Sequence, residues 1–71
     1  MAEIISLPGV RSGRPVIAGT RITVAEVLEM FANGLTEADI LEAFPKLTAA
    51  DIRAAMVYAA SNFDHPVVTA P

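Results

Sequence analysis

A threonine followed three residues later by an acid, with aliphatic residues close on either side, occurs three times in this chain. The copies are Ile22-Thr23-Val24-Ala25-Glu26-Val27, Leu35-Thr36-Glu37-Ala38-Asp39-Ile40 and Leu47-Thr48-Ala49-Ala50-Asp51-Ile52. In each, the threonine hydroxyl can accept from the free amide three residues on, and the acid there can accept from the threonine's own amide. The acid also sits at the positive end of the helix dipole, and the flanking aliphatic residues are spaced to form a staple. The pattern predicts three helix starts in a short chain. The stops agree with it: Gly34 after Asn33 reads as a left-handed cap, and Pro45 ends the second helix near Ala43–Phe44. The third helix meets no breaker before Ser61-Asn62. Helices are therefore expected over about 24–33, 37–44 and 49–61.

Helical spacing also picks out the faces that go inward. On the first helix these are Val24, Val27, Leu28 and Phe31, with Leu35 following. On the second they are Ile40, Leu41 and Phe44, and on the third Ile52, Ala55, Met56 and Ala59. Ahead of the helices, Pro8, Gly9, Gly13, Pro15 and Gly19 break the chain too often for a helix. Glu3–Leu7 and Pro15–Ile17 read instead as short strands, with Thr20–Ile22 a possible third across the Ala18-Gly19 turn. The reading is a single mainly α domain over residues 1–62: a three-helix helix-turn-helix unit preceded by a short β-containing amino-terminal segment. Residues 63–71 read as an extended tail.

Composition narrows the function. Seventy-one residues make one domain, and a chain this short buries only about 60% of its extended surface. Yet 54% of its residues are apolar. Some of that surface is expected to end in an interface, and a homodimer is the simplest one. There is no cysteine and one histidine, so neither a disulfide framework nor a metal site is expected, and no cofactor is implied. The carboxylates look like helix-start and solvent-face groups without a partnered nucleophile, so no catalytic residue is expected and the chain reads as a non-enzyme. No stretch is long enough for a membrane span or a signal peptide, which makes a cytoplasmic address the default.

The net charge of −3, from five Lys/Arg against eight Asp/Glu, is unlike that of a protein held chiefly by phosphates. Any DNA contact has to rest on a few positions. Thr48, Ala49 and Arg53 occupy the first turns of the third helix, where a recognition helix meets base edges, and Lys46 can support the approach through phosphates. Against this, Arg53 is the only cation on an alanine-rich helix, which suits packing on a second chain. Arg21 can reach a phosphate or an acidic pocket on a partner, or else tie the strand segment to Glu26 or Glu29. Gly13 and Gly19 match neither nucleotide fingerprint and read as turn residues. In the tail, Phe63 reads as an anchor, and Val67-Val68 between prolines can add a strand to a partner's sheet, the alternative being a terminus disordered in the free protein.

The run Gly13-Arg14-Pro15-Val16-Ile17-Ala18-Gly19-Thr20-Arg21-Ile22 resembles the opening signature of the domain of unknown function 433 family. So does the later run Gly34-Leu35-Thr36, Ile40, Pro45-Lys46-Leu47-Thr48, Asp51-Ile52-Arg53-Ala54-Ala55 and Tyr58-Ala59, the whole spanning about residues 3–60. The resemblance implies a homeodomain-like fold and the role of a VapB-like antitoxin in a type II toxin–antitoxin pair. On that reading the partners are a PIN-like ribonuclease toxin and operator DNA bound by a dimer. A module that only dimerises, using the helix-turn-helix shape for packing, is the alternative.

Overall fold

A computed structural model describes residues 2–62 of the chain. In chain order it places a strand β1 (Ile4–Ile5), a short 3-10 turn (Arg11–Gly13), a strand β2 (Val16–Ile17) and helices α1 (Val24–Ala32), α2 (Glu37–Ala43) and α3 (Ala49–Asn62). The expected helices are all present, with ends within a residue of those read from the caps.

Each threonine-acid pair forms the reciprocal cap. Thr23 Oγ1 accepts from the Glu26 amide at 3.0 Å and Glu26 Oε1 accepts from the Thr23 amide at 2.9 Å. The Thr36–Asp39 pair repeats this at 3.1 and 2.9 Å, and so does Thr48–Asp51. At the far end of α1, Gly34 takes φ +93. Its amide donates to Phe31 O and the Leu35 amide donates to Met30 O, both at 3.0 Å, which closes the helix with the doubled bond of a Schellman turn. Thr48→Ala should cost about 1 kcal/mol, because the first turn of the longest helix loses its acceptor. A domain of this size should then melt roughly 4–8 °C lower. An unchanged midpoint in a thermal scan would show that the hydroxyl contributes nothing to the helix.

The strands are shorter than the five- and three-residue runs expected. Ile4 pairs with Ile17 and Ile5 with Val16 in an antiparallel two-stranded sheet. The expected third strand at Thr20–Ile22 does not form. Ile17 O accepts from both the Thr20 amide (3.0 Å) and the Thr20 hydroxyl (2.8 Å), closing a turn with Gly19 at φ +84. Positive φ at the third turn position suits glycine, and the turn consumes the groups a ladder would need. Pairing resumes only beyond it, at the Val16–Thr23 bridge and the Ile17 amide to Ile22 O.

The core joins one face from each element. Ile17, Val24, Val27, Ile40, Leu47, Ile52, Ala55 and Ala59 form one buried cluster, with Ile4, Leu28, Phe31, Leu35 and Tyr58 packed against it. Two residues assigned inward by spacing lie outside it. Phe44 caps α2 in non-helical backbone, as a residue before proline must, so it leaves the helical face and stays 36% exposed. Met56 is 42% exposed, because Ile52, Ala55 and Ala59 already make a narrow stripe and small alanines bring α3 close to α1.

Candidate binding surfaces

The amino-terminal segment meets α1 through the Val24 amide, which donates to Pro15 O at 3.0 Å, and through one guanidinium. Arg11 and Ser12 both adopt positive φ, +48 and +59, followed by Gly13 at +78. This left-handed stretch turns the Arg11 side chain toward the start of α1. There Nη1 donates at 2.9 Å to Glu26 Oε1 and at 2.9 Å to Arg21 O. Of the two acids offered as alternatives for Arg21, Glu26 is taken by Arg11 instead, and Arg21 forms no ion pair among the described residues. The hydrogen bond from Arg11, followed by that from the Thr23 amide, holds the Glu26 carboxyl below its ordinary 4.5. Asp39 lies below its ordinary 3.8 for the simpler reason that the Thr36 amide donates to it.

A carboxyl whose pKa is depressed on folding stabilises the fold above its unfolded pKa and loses that contribution as pH falls through the folded value. Glu26→Gln should therefore lower stability at neutral pH and lose less than the parent on acidification. The two urea midpoints should converge below pH 4, and a constant gap down to pH 2 would separate Glu26 from the acid response.

The residues expected to touch DNA divide between two surfaces. Arg21 and Lys46 line one groove, with Ile5, Leu7, Val10 and Ile22. Ala49 and Arg53 line a different depression along α3, with Met56 and Val57. Lys46, Thr48, Ala49 and Arg53 are all exposed, and so is Arg21. Among the described residues the single ion pair is Arg11–Glu26, so Arg21, Lys46 and Arg53 are not committed to acids there. The proposed partner contacts Phe63, Val67 and Val68 lie outside the described residues. Among those described, no helix is long and apolar enough to cross a membrane.

Sequence spacing missed a second stripe on α3. Ala49, Arg53, Met56 and Ala60 recur at intervals of four, three and four residues, and Ala50 and Val57 lie beside them. All six are exposed, Val57 at 58%. The signal was available as a heptad-like repeat, but a helix apolar on both sides shows little contrast between them.

These elements define a mainly helical domain of helix-turn-helix shape, with a small antiparallel sheet leading into three capped helices. The chain belongs to the DUF433 family, described as a protein of unknown function, whose pattern it matches over residues 4–59. It is 41% identical over 59 residues to an uncharacterized protein, y4eO, of Sinorhizobium fredii, covering 83% of this chain and 27% of that protein. The chain thus spans about a quarter of the length of that relative. It also resembles the crystal structure of a DUF433 member from Anabaena variabilis, with a TM-score of 0.82 and 34% identity. That match covers 86% of this chain and 60% of the other.

Proposed function

We propose that the chain is a non-catalytic binding domain of antitoxin type, which self-associates through α3 and, as a dimer, neutralises a PIN-like ribonuclease. The observation that carries the binding role is the outer stripe of α3. The six exposed positions of this stripe contain a single charge, Arg53, and two large apolar side chains, Met56 and Val57. Small residues along such a stripe let a second helix approach closely, and water gains by leaving it. Glu37 lines the same depression, and Asp51, in the first turn of α3, accepts the Thr48 amide. The toxin as partner follows from the family resemblance. Co-expression with the adjacent open reading frame tests it, with growth as the readout. Arrest by the neighbour alone, relieved by this chain, is expected; a harmless neighbour, or arrest that this chain does not relieve, overturns the toxin assignment.

Operator binding is the second reading. It is favoured by the place of Lys46 in the turn before α3 and of Arg53 within its exposed first turns. If α3 enters a major groove, Arg53→Ala weakens binding to the upstream DNA by about 1–3 kcal/mol and relaxes preference at one base pair. Lys46→Ala weakens all sequences alike and reduces the salt slope by about one. Anisotropy titrations over a salt series would decide, and equal affinity for random duplex would reject the reading.

A further inference from the structure

We infer that the groove between the amino-terminal segment and the α2–α3 turn is a docking site for an extended acidic segment of a partner protein, one that carries aliphatic side chains between its carboxylates. This surface is separate from the α3 stripe, and the inference does not depend on the partner being a toxin.

The groove has an aliphatic floor and a cationic rim. Ile5, Leu7, Val10 and Ile22 supply the floor, and Leu7 is 45% exposed. Arg21 and Lys46 supply the rim; both are exposed, and neither is in an ion pair among the described residues. No acid lines it. In a chain of net charge −3 this is a local reversal of sign. A ligand matched to it has to be anionic and apolar at once, with charges placed to either side of the side chains that enter the floor.

Strand geometry explains how the floor is presented. Successive side chains of a strand point to opposite faces. Ile4 packs on the core, so Ile5 turns outward, and Leu7, just beyond the strand, lines the same groove. β1 is paired with β2 on one side, and among the described residues no strand pairs with its other edge. An extended segment lying along that edge can use the backbone as well as the side chains. Arg21 is the directional element, since its planar fork takes a carboxylate through two parallel bonds, while Lys46 acts as a point charge. A nucleic-acid backbone suits the rim but not the floor, because it has no aliphatic groups to bury against Leu7.

The test uses the full chain and three labelled probes in anisotropy titrations. They are a short peptide of glutamates and serines with leucine at two spaced positions, the same peptide with those leucines changed to serine, and a random-sequence DNA duplex. The leucine peptide is expected to bind at least about tenfold tighter than the serine peptide, and tighter than the duplex. The double variant Arg21→Glu/Lys46→Glu should weaken it about tenfold or more. Leu7→Ser should weaken the leucine peptide and leave the serine peptide unchanged, a difference that simple charge attraction does not produce. Amide chemical-shift changes should centre on Val10, Gly19–Ile22 and Lys46. Tighter binding of the duplex, indifference to all three substitutions, or shifts confined to residues 49–60 would each overturn the assignment. Antitoxin activity can survive any of these results, so the two readings fail independently.

Discussion

Ile40→Ala is expected to remove about 2–5 kcal/mol of stability, the range for deleting a branched aliphatic side chain from a packed core. Ile40 is the one buried residue of α2 and is 0% exposed. The helix has seven residues, too few to persist on local bonds alone, so its place rests on that side chain and the Thr36 cap. A domain of this length has roughly 4–11 kcal/mol of stability in all, so one substitution can remove half of it. Urea titration followed by circular dichroism should show a lowered midpoint with an unchanged slope. Leu41→Ala, at a partly buried position, should cost less. A loss at Ile40 below about 1 kcal/mol would mean that α2 is held by something other than this contact.

The second large effect concerns association. Val57→Glu places a carboxylate in the middle of the outer stripe of α3, on a side chain that is 58% exposed in the single chain. The fold itself should change by no more than about 0.5 kcal/mol, as for other surface substitutions. In a twofold dimer the same patch meets itself, so each change appears twice. With about 2 kcal/mol at each copy, the dissociation constant should rise by roughly a thousandfold. Ala25→Glu, on an exposed position of α1, serves as the control and should leave association intact. Light scattering behind size exclusion reads both. A parent chain that stays a 7.5 kDa monomer at every concentration, or a Val57 variant that dimerises as before, would remove α3 as the interface.

The helices were legible in the sequence because their starts are local chemistry. Thr23, Thr36 and Thr48 each find their acid three residues away, so no distant contact is needed to place them. Phe44 and Met56 were misplaced by the same periodicity that located Ile40 and Ile52. Spacing describes a continuous helix, and neither the swing imposed by Pro45 nor the closeness that Ala55 and Ala59 allow is visible in it. The contact least accessible to sequence was Arg11 with Glu26, fifteen residues apart. It depends on two non-glycine residues in left-handed backbone, for which Arg11 and Ser12 carry no local mark. The shared groove of Arg21 and Lys46 was hidden for a related reason, since it exists only once the sheet and the α2–α3 turn are side by side. Of the binding residues proposed from the sequence, Arg21, Lys46, Thr48, Ala49 and Arg53 are exposed, with Arg21 and Lys46 on one surface and Ala49 and Arg53 on another.

The single oxygen Glu26 Oε1 receives both the Thr23 amide and the Arg11 guanidinium, each at 2.9 Å. A helix start and a loop closure separated by many residues of chain therefore share one acceptor. Detaching the loop leaves Glu26 Oε1 with the Thr23 amide alone, and fraying the helix leaves the Arg11 guanidinium with Arg21 O alone. Local opening of either piece favours opening of the other, so the first turn of α1 and the segment around Arg11 behave as one cooperative unit within an otherwise modular set of capped helices. Folding inherits the same coupling. All three helices complete their caps from within, but among the described residues only the α1 acid also takes a bond from a distant side chain.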